Sequence, residues 1–137
     1  MSAGYEILEH TADVGIRARG GSLAEALEAA ARGLAELLGG AREGPGERRV
    51  LHLSAADPGA LAVDLLNELL FLHETEGAGF GRIRVRPTGP SAAEVEVELV
   101  PLAGEPEGVG VKAATYHQLG VEERPDGSVE LRVFLDV

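Results

Sequence analysis

From Arg82 onward, apolar residues recur at every second position in stretch after stretch, and this period of two constrains the fold more than anything else in the chain. Ile83 and Val85 alternate with Arg82, Arg84 and Arg86, and Val95, Val97 and Leu99 alternate with Glu94, Glu96 and Glu98. Val129, Leu131, Val133, Leu135 and Val137 continue the pattern to the last residue. Successive side chains of a strand point to opposite faces, so such runs read as half-buried strands. The first two, joined around Thr88-Gly89-Pro90, form an expected hairpin that sets each Arg opposite a Glu on its outer face. These arginines therefore balance their neighbours and are not read as an RNA patch. Pro125-Asp126-Gly127 is a strong turn signal between an extended segment, 111–122, and the last strand. A strand that stays apolar to its end is expected to be docked.

The first half adds two helices. Short strands around Tyr5 and Ile7 and around Val14, Ile16 and Ala18 flank a break at His10-Thr11-Ala12-Asp13. Ser22 and Glu25 make an S-x-x-E capping box. Leu23, Leu27, Ala30, Leu34, Leu37 and Leu38 follow at helical spacing until Gly39-Gly40. Residues 41–47 read as a loop and 50–54 as a strand. Asp57-Pro58 starts a second helix with a broad leucine face, Leu61 to Leu72, which stops at 77–79. Residues 103–110 form a Gly/Pro/Glu stretch. The order β-β-α-β-α-β-β-β-β describes an α+β fold, with two helices packed on a mainly antiparallel or mixed sheet. The length of 137 residues makes 1–137 a single domain.

Composition then removes whole classes of function. There is no Cys, so disulfides, thiolate metal sites and cysteine nucleophiles are excluded. A net charge of −11 argues against direct nucleic-acid binding, and 4% aromatics against a base-stacking platform. No P-loop, G-x-G-x-x-G or G-x-S-x-G is present, so a self-contained enzyme is not indicated. Neither a signal peptide nor a membrane span is read from the sequence, and a cytoplasmic location with no membrane partner is the expectation.

The remaining chemistry is carboxylate chemistry. Lys112 starts one strand of the last hairpin and Asp136 ends the other, so both are expected at its open end. A turn centred at Asp126 sets even-numbered residues opposite even-numbered ones, which would put Lys112 and Asp136 on a shared face. Val137 could add a terminal carboxylate. If the corner at Asp13 reaches the same place, Asp13, Asp136 and Val137 form an all-oxygen site for a hard divalent cation such as Ca²⁺ or Mg²⁺. Taken singly, Asp13 also suits a turn, Asp136 a solvated strand end and Lys112 a surface lysine. The four His show no zinc spacing. His10, His117 and Glu68 are candidates for a supporting shell; Glu68 equally suits a solvated helix face, and nothing fixes a catalytic role for His117.

Several segments together resemble the archease family. They are Tyr5-Glu6-Ile7-Leu8-Glu9-His10-Thr11-Ala12-Asp13-Val14, the helix 22–38, Leu66-Asn67-Glu68-Leu69-Leu70-Phe71, Val111-Lys112-Ala113-Ala114-Thr115-Tyr116-His117 and the ending Leu135-Asp136-Val137. Glu9 departs from the family's usual Asp by one methylene. The resemblance implies an accessory protein and not an enzyme. It would activate an RtcB-type RNA ligase in tRNA splicing and RNA repair by promoting ligase guanylylation and multiple turnover. It implies metal-binding acids at Asp13 and Asp136, with a contribution from Val137, and a functional lysine at Lys112. The cation implied is divalent, Ca²⁺ foremost, with Mg²⁺ or Mn²⁺ compatible. A chaperone-like modulator of nucleic-acid-processing proteins is the alternative, and a small stand-alone hydrolase a more distant one.

Overall fold

The computed structural model describes residues 3–9, 13–40, 42–103, 108 and 110–137. The described elements follow the expected order: β1 (Gly4–Glu9), β2 (Asp13–Gly20), α1 (Leu23–Leu37), β3 (Glu47–Ser54), α2 (Pro58–Glu76), β4 (Ala78–Gly89), β5 (Ala92–Pro101), β6 (Ala113–Glu123) and β7 (Val129–Asp136). His10 and most of the 103–110 stretch lie outside the described residues.

Helix boundaries follow local chemistry. Ser22 Oγ accepts from the Glu25 N–H at 3.2 Å, which satisfies one of the orphan donors opening α1. The Asp57 carboxylate accepts from the Ala60 N–H at 2.8 Å, and Pro58 occupies the first turn of α2 where its missing N–H costs nothing. Gly77, at φ 59°, ends α2 in the left-handed conformation that a side chain resists.

The strands divide into two antiparallel sheets, with orders β1-β2-β7-β6 and β3-β5-β4. Each helix contacts strands of both sheets, so the helix pair is the layer against which both sheets bury. This explains why α1 is alanine-rich. Ala26, Ala29, Ala30, Ala31 and Ala35 are all buried, on more than one face, and small side chains let backbone approach backbone. From the four-stranded sheet, Ile16, Ala18, Leu131, Val133 and Leu135 enter the core, and from the other come Val95, Val97 and Leu99. No described helix is long and apolar enough to cross a membrane.

The outer face of the three-stranded sheet matches the charge pattern. Arg84 is the ladder partner of Glu96 and Arg86 of Glu94. Arg86 bonds Glu94 directly, but Glu96 takes its ion pair from Arg48 of β3 at 2.9 Å. Strand β3 starts at Glu47, earlier than the sequence expectation at 50, and so brings that arginine alongside. Hydrogen bonds from Arg86 and Arg48 hold the carboxyls of Glu94 and Glu96 below the usual range. Glu94 and Glu96 are thus compensated within their own sheet, whereas the register shifts between Phe80 and Ile83 and takes Arg82 out of the ladder expected opposite Glu98.

One junction fixes how the four-stranded sheet meets α1. A Cβ on Gly20 would lie 2.6 Å from the backbone nitrogen of Ala26. Backbone in the first turn of a helix cannot retreat without unwinding. Gly20→Ala is therefore expected to destabilise the protein by about 1–3 kcal/mol. A thermal melt followed by circular dichroism should show a midpoint several degrees lower; an unchanged melt would contradict this packing.

Candidate functional site at the open end of the four-stranded sheet

The ladder between β2 and β7 ends on two acids. Asp13 is the direct partner of Asp136 across it. Directly opposed residues of an antiparallel pair carry their Cβ atoms about 4.5–5.5 Å apart, and like charges so placed repel. Neither carboxylate has a hydrogen bond or ion pair among the described residues. Asp13 is half-buried and Asp136 exposed. Two rungs inward, on the same face, Gly15 lies opposite Phe134. A Cβ on Gly15 would come within 2.8 Å of the Phe134 ring, so the absent side chain is what lets that ring lie against the sheet beneath the acids.

Strand β6 completes the site, though not in the expected register. Near the turn, Glu122 pairs with Glu130, as a turn centred at Asp126 requires. Between Gly120↔Arg132 and Thr115↔Phe134, however, β6 advances five residues while β7 advances two. The three extra residues bulge outward, with Gln118 at φ 53°. An odd insertion exchanges the faces, so Ala113, not Lys112, is the ladder partner of Asp136. The shared face expected from the hairpin parity is thereby corrected. Lys112 still reaches the site, because its backbone N–H donates to the Asp136 carbonyl at 2.8 Å. Its exposed ammonium has no ion pair or hydrogen bond among the described residues.

The residue missed by sequence reasoning is Asn67. Its amide nitrogen donates to the Ala114 carbonyl at 3.2 Å, and its amide oxygen accepts from the Ala114 N–H at 2.8 Å. The side chain thus pairs with the free edge of β6 as a neighbouring strand would, two residues from Lys112. A signal was present: an amide, a poor helix former, inside the leucine run of α2. Glu68 follows it on the exposed side of α2. His117 sits in the bulge, exposed, with its backbone N–H on Thr115 Oγ1 at 3.3 Å. Neither Glu68 nor His117 bonds the acid pair through its side chain among the described residues. Val137 follows Asp136 and is 41% exposed.

Comparison with known proteins agrees with this architecture. The Archease protein family model matches residues 5–137. The chain belongs to the archease family. Archease proteins from Thermococcus gammatolerans and Thermococcus kodakarensis are each 38% identical to it, covering 90% of this chain and 91% of the relative. A solution structure from Methanobacterium thermoautotrophicum aligns with TM-score 0.73 at 27% identity over 98% of this chain and 99% of its own. The crystal structure of an archease from Thermotoga maritima, described as a possible chaperone, aligns with TM-score 0.69 at 26% identity over 96% of each chain. Two helices on antiparallel sheets are thus the archease fold.

Asn67 offers a direct test of how that end is held. Asn67→Leu removes both bonds and strands the Ala114 N–H and C=O, a cost of about 1–3 kcal/mol. Amide exchange should accelerate at Ala114 and at Lys112, while exchange in β3 to β5 at the far sheet stays unchanged.

Proposed function

We propose that this archease activates an RtcB-type RNA ligase, promoting guanylylation of the ligase and its multiple turnover, and that Asp13, Asp136 and Lys112 are the groups that act. The observation that carries the reading is the unneutralised acid pair. Folding has set two carboxylates opposite one another, at the end of a central ladder, without giving either a partner among the described residues. Such an arrangement costs stability and is relieved by a cation.

The donor set fits a hard divalent cation, with Ca²⁺, Mg²⁺ and Mn²⁺ all compatible with oxygen ligands. Among the described residues no three acidic or His side chains converge, so the pair would fill part of a coordination sphere and leave positions for water or a phosphate oxygen. When bound, the cation supplies positive charge against the phosphates of the ligase's nucleotide. Asp13 and Asp136 are the residues that would hold it. Lys112, tied to Asp136 through the backbone and unpaired at its ammonium among the described residues, offers a second positive group to the same phosphates. The net charge of −11 favours encounter with a basic partner, with an on-rate that falls as salt rises.

The test is multiple-turnover ligation by the cognate ligase, with and without the archease. Wild type should stimulate, and Asp13→Ala, Asp136→Ala and Lys112→Ala should each lower the stimulated rate by about 10²-fold, the scale of losing one charge-stabilising group. The thermal midpoints of the two aspartate variants should be unchanged or higher, because a like-charge pair has been removed. Absence of stimulation by the wild type would overturn the ligase reading. Full stimulation by all three variants would move activity away from the acid end and favour the chaperone-like alternative.

A further inference from the structure

The arginines of β4 read from the sequence as neutralised one for one by the glutamates of β5. Only Arg86 is neutralised that way, by its ladder partner Glu94. Arg84 loses its partner because Arg48, from the other edge of the sheet, takes Glu96 at 2.9 Å. Arg82 loses its partner to a bulge: from Phe80 to Ile83 β4 advances three residues while β5 advances two. Glu98 leans over Gly81 instead, where a Cβ would come within 2.5 Å of its carboxylate. Arg82 and Arg84 are both exposed, and neither guanidinium has a hydrogen bond or ion pair among the described residues.

Both cations line a groove of about 640 Å³ over the three-stranded sheet and the edge of β4. Every acid in its lining is already engaged. Glu94 is held by Arg86 and Glu96 by Arg48, while Glu28 accepts from the Val85 N–H at 3.0 Å and pairs with Arg32 at 3.5 Å. The groove is left with a surplus of positive charge. Arg82 and Ile83 also line a second groove of about 380 Å³, which adds Tyr5 of β1 and Arg32 of α1. There the Tyr5 ring lies against α1, where a Cβ on Gly33 would be 3.2 Å from it, and the residue is 38% exposed. The edge of β4 itself is closed to an added strand. Glu28 occupies the Val85 N–H, the Arg42 N–H occupies the Phe80 carbonyl at 2.8 Å, and Pro87 has no N–H. An occupant must therefore be held by side chains.

We infer that these joined grooves hold a short stretch of single-stranded RNA, with Arg82 and Arg84 on successive phosphates and a base stacked on Tyr5. The inference rests on the proposed function only for the choice of RNA over DNA. Planar guanidinium forks match phosphate oxygens. Residues two apart on one face of a strand are separated by about 6.6 Å, comparable to successive phosphates of an extended nucleic-acid chain. A basic groove beside an aromatic ring is the arrangement that holds single strands without reading their sequence. The net charge of −11 does not decide the matter, because it is spread over the whole molecule while the two arginines would touch the phosphates. At about 0.1 M salt, charges farther than about 10 Å are largely screened. The acid pair belongs to the other sheet, so strand binding and the chemistry assigned to Asp13 and Asp136 are separable.

Fluorescence anisotropy of a short labelled single-stranded RNA, titrated with the archease alone, tests this. Wild type should bind, with log K falling against log salt at a slope of about −1.4, the value for two phosphate contacts on a single strand. The double variant R82Q/R84Q should lose tenfold or more in affinity and flatten the salt dependence. Both side chains are exposed and unpaired among the described residues, so it should melt with the wild type. Tyr5→Leu keeps an apolar contact on α1 and should lose at least about fivefold, the low end for one stacked base. Arg132→Gln removes an exposed arginine from the other sheet and should bind as wild type does. No binding by wild type, or full binding by R82Q/R84Q, overturns the inference. Inorganic tripolyphosphate binding as tightly as the RNA, with Tyr5→Leu unchanged on both, would assign the groove to a free polyphosphate and overturn it too. Ligation assays decide the ligase reading separately: an archease that binds RNA here and stimulates no ligase keeps the groove and loses the ligase.

Discussion

Strands β2 and β7 come from opposite ends of the chain, and their ladder is the centre of the four-stranded sheet. Closing it costs chain entropy that no local contact repays. The return is burial. Ile16, Ala18, Leu131, Val133 and Leu135 all leave water on one side of this pair. Everything at the functional end depends on it, because Asp13 and Asp136 meet only as the last rung of that ladder. The burial inside is what makes the sheet indifferent to the repulsion outside. Two opposed carboxylates can be tolerated at an end where solvent reaches them and where the adjoining rungs are locked by the core.

The helices settle where the third side of the site lies. Helix α1, with its alanines, fills the space between the sheets. Helix α2 runs beside the edge strand β6 and presents Asn67 to it. An unpaired sheet edge is a liability, since its amides and carbonyls invite another chain. Asn67 answers two of those groups and in doing so fixes the strand that carries Lys112. The bulge three residues further on has the complementary effect. It turns the parity of β6, sets Ala113 opposite Asp136, and pushes Tyr116 and His117 outward. Rigid backbone near the acids and outward-facing side chains beyond them arise from the same strand.

Most of the fold is legible from the residues. Alternation marks β4, β5 and β7, caps mark both helices, and Pro125-Asp126-Gly127 marks the last turn. Each of these is a local signal, decided by a few neighbours. The division of the described strands between two sheets is not local: nothing in β3 or β5 says that they pair with one another and leave β2 to β7. Arg48 shows the consequence. It lies in no alternating run of its own, yet it takes Glu96 away from the ladder partner Arg84.

The sequence alone determined which residues could carry chemistry, because composition leaves only carboxylates, hydroxyls, imidazoles and a few amines, and it determined that Lys112 and Asp136 stand at the open end of one hairpin. Tertiary structure decided the rest. It brought Asp13, more than a hundred residues away in the chain, opposite Asp136, and it placed Lys112 beside Asp136 through the backbone and not across the ladder. The physical reason is that register is a sum over a whole strand. Three extra residues at a bulge reverse every face beyond them, and only the packing of β6 against α2 and β7 makes that bulge the lower-energy path.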